Sequence, residues 1–588
     1  MDAAAARRAD AAWGVAEPLP DPWRHGPWEL ERRGDELAGI RFDGSLLLRS
    51  VRAVARDRDW STLTTEVVEA VAAGDELRLA LRMTGFGGDL AGELVLRASA
   101  HELTVRLRLT SATAFARNRI GLIVLHPPRV AGSALEVSTD TGAVTRTAFP
   151  DAISPWQPAM DIAALAWSTD GVEARLAFSG DVFEMEDQRN WTDASFKTYS
   201  TPLALPFPVE LAAGAEIAQD LVLTATRVAP PAAASAPDVI ELSEGGLLPE
   251  FGLGVSTAPD PAAPDRVRPR ATGAAFLLVE LETGQANWRA AWERAVAEAD
   301  GLPLDVRIVA SEAAALAEAV RTVASAGASV ARIGVFSPRT QVTEPELWAA
   351  LRAAVAEARL DAVPVGGARS HFTELNRQHA RMPGDIPALA FSSTPQMHAQ
   401  ERAQLVEAIP MQTLTARDAV RIAHGRPVHI GPVTLRSRYN AVATTPPPPE
   451  GPDLHDGYGA QHVPEATDPR QRSEAAAAWL VASAAAFSVE GVATVSWFET
   501  TGPRGLRDGD AAFPVEAAFA AIAELSGREA LRAGATPDGV HVLAGRTPAG
   551  PVALLANLTP ADRDLTVRLG DASVAVTVPS FSIARVAL

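Results

Sequence analysis

The chain has 588 residues, with 53 Lys and Arg residues against 72 Asp and Glu residues, which gives a formal charge of −19. A hydrophobic fraction of 47% and a charged fraction of 21% are typical of globular proteins rather than of disordered chains. The acidic balance opposes binding to phosphate backbones and anionic lipids, so neither nucleic acid nor a membrane surface is an expected partner. Because the chain has no cysteine, its sequence excludes disulfides, thiolate zinc sites and a cysteine nucleophile.

The N-terminal twenty residues have no apolar segment after their arginines, so we expect no secretory signal and a cytoplasmic location. The longest apolar stretch, Ala475–Val489, is rich in alanine, interrupted by serines and too short to span a bilayer. The length alone suggests about three or four domains.

Residues 1–236 are predicted to form a large N-terminal β-sandwich. Leu77–Arg82 and Leu103–Leu109 alternate apolar and polar side chains, which is the period of a half-buried antiparallel strand. Similar short runs recur to about residue 178 between Gly, Asp and Pro turns, and few helical patterns separate them. The segment Ala229–Pro237 has the composition of a linker and ends this region.

Residues 237–530 alternate short apolar runs with helical patterns, which predicts a central (β/α)8 TIM barrel. The eight predicted strands are Gly252–Val255, Phe276–Leu281, Asp305–Ala310, Ala331–Phe336, Ala362–Val365, Ala388–Phe391, Val428–Val433 and Ala493–Phe498. A doubly wound open sheet is the alternative, but Gly252-Leu253-Gly254 lacks the third glycine and the helix of its usual first turn.

Residues 531–588 return to strand patterns and predict a small C-terminal β-sandwich domain, so the expected fold class is a multidomain protein with α/β and all-β parts. The proline run Pro446–Pro449 lies in a long loop after the seventh barrel strand. Loops at that end of a barrel carry its active site.

Two glutamates follow barrel strands and are the candidate catalytic residues. Glu374 comes after the fifth strand and Glu499 after the eighth, in polar and aromatic surroundings that we interpret as strand ends rather than helix faces. A pair of carboxyl groups allows one to protonate a leaving oxygen while the other attacks or activates water. The alternative is that each is a loop carboxylate paired with Arg377 or Arg504.

Three histidines, His371, His398 and His429, are placed near the same face, and none has the close spacing of a metal motif. Hydrogen bonding is therefore favoured over metal binding for each, and neither a metal nor another cofactor is predicted. Arg377 and Arg436 could bind a carboxylate or a developing alkoxide, or form salt bridges with neighbouring acids.

The stretch Phe183–Tyr199 crowds acids, Arg, Asn, Trp and Tyr together with neither strand nor helix period. Such a segment either lines the barrel mouth and contacts substrate or joins the two domains. No G-x-S-x-G turn, phosphate loop or HExxH pattern stands in the chain, which argues against serine hydrolases, kinases and zincins.

Three stretches resemble the D-apionate lactonase family of bacterial apiose catabolism: Met185–Tyr199, Gly366–Arg377 and Phe498–Gly502. The similarity covers almost the whole chain in the same domain order. It implies hydrolysis of D-apionolactone to D-apionate. The architecture also resembles barrel glycoside hydrolases with two glutamates, although those glutamates usually follow strands four and seven rather than five and eight.

These considerations give a working mechanism. Glu499 acts as base towards water, Glu374 as acid, and Arg436 or His398 stabilises the oxyanion. The predicted substrate-binding residues are His371, Asn376, Arg377, His398, Arg436, Glu186, Arg189, Asn190, Trp191, Tyr199 and Trp497. The alternatives are a glycosidase that uses the same glutamates on a small or branched-chain glycoside, and a carbohydrate-binding protein on an inactive barrel. The oligomeric state is left open.

Overall fold

The computed structural model describes residues 3–231, 238–258, 269–439 and 466–588 of the chain. These residues form an all-β N-terminal region, a closed barrel and a C-terminal sheet. None of the helices in those ranges is long and apolar enough to cross a membrane. The predicted proline loop at Pro446–Pro449 lies outside the described residues.

The N-terminal region begins with helix α1 (Ala3–Trp13) and continues with seventeen strands joined in one sheet. The predicted strands at 77–82 and 103–109 are confirmed, and the alternating side chains of the second one alternate between buried and exposed. Their buried members, with those of the neighbouring strands, form one apolar core. The strands are β1 (Asp21–His25), β2 (Trp28–Arg33), β3 (Glu36–Phe42), β4 (Ser45–Asp57), β5 (Thr64–Ala73), β6 (Glu76–Gly85), β7 (Gly88–Ala98), β8 (Glu102–Ser111), β9 (Phe115–His126), β10 (Ala134–Thr139), β11 (Val144–Ala148), β12 (Ala159–Thr169), β13 (Val172–Ser179), β14 (Phe183–Asp187), β15 (Phe196–Tyr199), β16 (Val209–Leu211) and β17 (Glu216–Arg227).

The next strand, β18 (Val239–Leu247), does not belong to the barrel. It pairs with two strands of the C-terminal sheet, antiparallel to Glu529–Ala533 and parallel to Arg563–Leu569. The predicted division at residue 237 assigned this segment to the barrel domain, whereas its hydrogen bonds place it in the C-terminal sheet.

Eight parallel strands close into a barrel, with β19 hydrogen-bonded to both β20 and β26. Closure rules out the open doubly wound sheet, and all eight strands lie where the sequence predicts them. They are β19 (Glu250–Gly254), β20 (Leu277–Glu282), β21 (Leu304–Val309), β22 (Val330–Phe336), β23 (Val363–Gly367), β24 (Leu389–Ser393), β25 (Val428–Val433) and β26 (Val492–Glu499).

The described helices of the barrel cover its outside and pack their apolar faces on the strands. Their buried positions, such as Leu316, Ala319, Val320 and Val323 in α3, recur at helical spacing. They are α2 (Trp288–Ala299), α3 (Ala313–Ser325), α4 (Pro345–Ala358), α5 (Phe372–Gln378), α6 (Arg402–Ala423), α7 (Glu474–Phe487) and α8 (Pro514–Ala523).

The chain ends in a seven-stranded sheet that includes β18 and packs beside the barrel on α7. The strand patterns predicted for this region are confirmed. A short pair, β27 (Arg507–Asp508) and β28 (Ala511–Ala512), precedes it, and the sheet comprises β29 (Glu529–Ala533), β30 (Val540–Thr547), β31 (Gly550–Asn557), β32 (Arg563–Leu569), β33 (Ala572–Val578) and β34 (Ser582–Ala587).

A buried ionic cluster stands between β21, β22 and β25 in the barrel wall. Asp305 accepts hydrogen bonds from Arg307 and, at 2.9 Å, from Nε of Arg332. Burial alone would raise the pKa of Asp305, but the two guanidiniums hold it well below its ordinary value. Nearby, Nδ1 of His429 lies 2.9 Å from the Thr494 hydroxyl, and burial lowers the pKa of His429 to about 3. His429 is thus a neutral hydrogen-bonding residue of the barrel wall.

Candidate active site

A small polar cavity opens at the C-terminal ends of strands five to seven, where active sites of such barrels lie. The helix-capping residue after β23, the end of β24 and the loop after β25 supply its walls. The lining residues are His371, Ser392, Ser393, Thr394, Pro432, Thr434, Ser437, Arg438 and Tyr439.

Two arginines and two glutamates form an ionic network at the side of this cavity. Arg438 donates to Glu280 near the end of β20, and Nη2 of Arg369 donates to Glu282 at 3.1 Å. Nε of Arg369 also lies 3.5 Å from Glu280. Burial alone would raise the pKa of Glu280, but Arg438 and Arg369 lower it below its ordinary value. The carboxylates therefore balance the charge of both guanidiniums.

Tyr439 packs its ring against both arginines, with guanidinium carbons 4.4 Å (Arg369) and 5.3 Å (Arg438) from the ring centroid. Burial raises the pKa of Tyr439 to about 12, so its hydroxyl remains a proton donor at neutral pH. Neither this hydroxyl nor that of Ser393 has a hydrogen-bond partner among the described residues, although both are buried. Buried polar atoms of native proteins are nearly always paired, so these two hydroxyls are candidates for contact with a ligand.

Glu374 lies in the first turn of α5, so its predicted position at a strand end is wrong, although it does follow the fifth strand. The turn forms because the Glu374 carboxylate accepts hydrogen bonds from the Ser370 hydroxyl and, at 3.0 Å, from the His371 backbone N–H. Burial raises the pKa of Glu374. Burial and the charge of Arg438 lower the pKa of His371 to about 3, so this cavity residue is neutral.

Glu499 ends β26 and is buried. Its carboxylate accepts from the Thr257 hydroxyl at 2.7 Å and from the Thr257 N–H at 3.0 Å, and it lies 2.8 Å from Nη2 of Arg504. The ion pair with Arg504 that the sequence suggested is present. Within the described part of the chain, Glu374 and Glu499 share no hydrogen-bond partner.

The stretch Phe183–Tyr199 joins the N-terminal region to the loops after strands five and six. The Thr192 hydroxyl donates to the Thr394 carbonyl at 3.1 Å, and Asp193 lies 2.7 Å from Nδ1 of His398. Trp191 packs edge-on against the His398 ring, with centroids 5.2 Å apart. Because Thr394 lines the cavity, the stretch both joins the two parts of the chain and reaches the barrel mouth.

Arg377 extends this contact through Glu186. Glu186 lies 2.5 Å from the Lys197 ammonium and 3.7 Å from the Arg377 guanidinium. Burial alone would raise the pKa of Glu186, but the charges of Lys197, His398 and Arg377 lower it to about 2. Arg377 also packs between the rings of Trp156 and Trp191, at 5.2 and 5.1 Å.

Several predicted substrate-binding residues have their polar groups bound inside the protein. Asn376 donates to the Ile153 carbonyl and to the side-chain oxygen of Asn190, and Asn190 donates to the Ser154 carbonyl. Arg189 forms a fully buried ion pair with Asp187, at 2.7 Å. Asn376 thus joins the barrel to the N-terminal region, and Asn190 and Arg189 also bond within that region.

Two aromatic residues and one arginine of the predicted set also have polar atoms in contact with other protein groups. Trp497 is fully buried and donates to the Ser483 hydroxyl at 2.9 Å, and Tyr199 donates to Glu184. Nε of Arg436 lies 3.4 Å from Asp468. Of the predicted substrate-binding residues, His371 is the one that lines the small cavity.

The sequence-based selection missed Arg438 and Tyr439. Both stand within six residues of the end of β25, where the strand-end rule applies, but the selection stopped at Arg436. Arg369, Ser393 and Glu280 also lie at or near strand ends and received no role in the sequence analysis. Among the described residues, no three His, Asp or Glu side chains are grouped so that they could hold a metal ion.

Comparison with known proteins agrees with this architecture. Residues 9–228 match the family model of the D-apionate lactonase N-terminal domain, and residues 251–527 match that of the D-apionate lactonase TIM barrel domain. A D-apionate lactonase from Brucella anthropi is 30% identical over 540 residues, which are 84% of either chain.

Solved structures resemble the chain more distantly. A GH30 endoxylanase from Clostridium papyrosolvens C71 has a TM-score of 0.38 and 11% identity, and the match covers 59% of this chain and 98% of the other. A β-arabinopyranosidase has a TM-score of 0.29 and 11% identity, with 95% and 96% covered. The two family models together match the N-terminal region and the barrel, and both belong to the D-apionate lactonase family. The chain belongs to the D-apionate lactonase family and is a hydrolase.

Proposed function

We propose that the protein hydrolyses a sugar lactone, D-apionolactone, to the open-chain acid D-apionate. The observation that carries this proposal is the pair of buried hydroxyls of Tyr439 and Ser393, which have no partners among the described residues and belong to residues that line the same cavity as Arg438. A lactone offers a carbonyl oxygen and ring hydroxyls that can satisfy such groups.

The protein must assist three steps of the reaction. Water must lose a proton as it attacks the lactone carbonyl, the tetrahedral oxyanion must be stabilised, and the departing ring oxygen must gain a proton as its bond to the carbonyl carbon breaks. We assign stabilisation of the oxyanion to Tyr439 and Arg438, because a protonated hydroxyl and a cationic side chain lie together at the cavity.

Glu374 is proposed as the proton donor to the ring oxygen. Burial raises the pKa of its carboxyl group, which keeps a larger protonated fraction near neutral pH than an exposed glutamate has. Glu499 is proposed as the base that takes the proton from water, because its carboxylate stands at the end of β26, on the side of the barrel where active sites lie.

The glycosidase alternative is not favoured. The fourth and seventh strands end at Phe336 and Val433, and the next residues are Ser337 and Thr434. Barrel glycosidases of the type that the architecture resembles carry their glutamates there. Glu374 and Glu499 instead follow the fifth and eighth strands of the closed barrel.

The test offers purified protein D-apionolactone and aryl glycosides side by side, and it follows acid release and aryl alcohol release. We expect acid release alone. Glu374→Gln and Glu499→Gln should each lower kcat by about 10²–10⁴-fold. Glu344→Gln is the matched control, because Glu344 also follows a barrel strand but accepts a hydrogen bond from Thr340 beside α4. Near-wild-type turnover by both test variants would show that the catalytic assignment is wrong.

A further inference from the structure

Glu298 is a buried carboxylate in the last turn of α2 that reaches the ends of two barrel strands. Its two oxygens lie 3.1 and 3.2 Å from the Ser256 backbone N–H, just after β19. The Thr500 hydroxyl, just after β26, donates to the same carboxylate. A single side chain therefore ties the first strand end to the eighth.

The residues next to these two anchors are the ones that hold Glu499. Thr257 follows Ser256 and gives Glu499 two hydrogen bonds, at 2.7 and 3.0 Å. Thr500 follows Glu499 directly, and its own N–H donates to the Gly254 carbonyl at 2.9 Å. Any shift of Ser256 or Thr500 would therefore move the groups that orient the Glu499 carboxylate.

We propose that Glu298 is a positioning residue for Glu499, which it acts on by fixing Ser256 and Thr500 on either side of the Thr257–Glu499 contact. The inference rests on the proposed role of Glu499 as base. Glu298 itself bonds to protein groups alone within the described residues, so its effect on the reaction is indirect.

The surroundings of Glu298 also affect the protonation of its carboxyl group. Burial raises the pKa of Glu298 to about 7, with a further contribution from the nearby Glu499 charge. The charged groups around it are Arg294 on the same helix, which donates to the Ser256 and Ala258 carbonyls, and Glu499 with its partner Arg504.

Glu298→Gln and Glu298→Ala separate positioning from charge. The amide of Gln can still accept from Ser256 and bond to Thr500, so we expect kcat within about threefold of wild type. The Ala variant loses both anchors, and we expect kcat to fall about 10–100-fold with KM nearly unchanged. Glu293→Ala, at an exposed position of α2, is the control.

Crystal structures of the Ala and Gln variants give a readout that does not depend on turnover. We expect the Glu499–Thr257 hydrogen bonds to be lost in the Ala variant and kept in the Gln variant. Wild-type kcat in Glu298→Ala, or unchanged Glu499 geometry there, would overturn the inference. If Glu298→Ala does not fold, Thr500→Val removes one of the two anchors and should lower kcat in the same way. Full activity of Glu499→Gln would instead refute the base role and leave the structural comparison decisive for Glu298.

Discussion

Replacement of Tyr439 by Phe removes one hydroxyl and keeps the ring against Arg369 and Arg438. Because the hydroxyl has no partner among the described residues, no internal hydrogen bond of the described chain is lost. A buried polar group without a partner costs about 1–3 kcal/mol of desolvation. We therefore expect the free energy of unfolding of the variant to equal or exceed that of wild type, by up to about 3 kcal/mol.

The same change should be costly for catalysis. Removal of one oxyanion donor lowers kcat by about 10²–10³-fold, or about 2.7–4 kcal/mol of transition-state stabilisation. Since burial raises the pKa of Tyr439 to about 12, the hydroxyl donates throughout the neutral range, and the loss should not depend on pH. A more stable and less active variant would indicate a group kept for its ligand.

The assay compares kcat/KM on the lactone with thermal unfolding of the ligand-free protein. Tyr199→Phe is the matched control, because its hydroxyl donates to Glu184 within the N-terminal region. We expect that control to lose stability and to keep kcat. A Tyr439→Phe protein that keeps kcat/KM within twofold, or that is destabilised as the control is, would refute the reasoning.

Two further variants test Glu374 and the barrel wall. If Glu374 is the acid, wild-type kcat should fall as pH rises through its raised pKa, and Glu374→Gln should lack that alkaline limb when pH profiles are compared. Asp305→Asn leaves Arg307 and Arg332 buried without their counter-charge, and it should cost about 3–5 kcal/mol of stability in urea unfolding. Because the folded pKa of Asp305 is depressed, its contribution is present above the unfolded pKa and lost as pH falls. Equal stability of Asp305→Asn and wild type at neutral pH would contradict this account.

The barrel was predictable from sequence because its strands are nearly continuous buried runs separated by amphipathic helices. Val428–Val433 is buried at every position, and Ala313–Ser325 repeats its apolar residues at helical spacing. The place of β18 was not predictable, because its partners near residues 531 and 566 are about three hundred residues away in the chain. An alternating pattern fixes a strand but not the sheet that receives it.

The site was predictable only where residues follow strands closely. Glu374 and His371 were found by that rule. Tyr439 would also have been found if the rule had been applied as far as six residues beyond the end of β25. Glu298 stands in an alanine-rich helix, and its contacts with Ser256 and Thr500 depend on how α2 packs over the barrel. The sequence also could not predict that the Asn376 amide donates to the Ile153 carbonyl, because that hydrogen bond joins separate domains.

The charges beside the cavity fit a neutral substrate and a charged product. Arg369 and Arg438 are balanced by Glu280 and Glu282, so a neutral lactone meets no net charge from these four side chains. In the proposed mechanism, Arg438 and the Tyr439 hydroxyl stabilise the negative charge that develops on the carbonyl oxygen, which favours the transition state over the ground state. Once the ring opens, the product carries a full negative charge beside carboxylates that already pair with both arginines. In the proposed reaction, repulsion between the product carboxylate and the carboxylates of Glu280 and Glu282 favours release of the acid, whereas the neutral lactone meets no such repulsion.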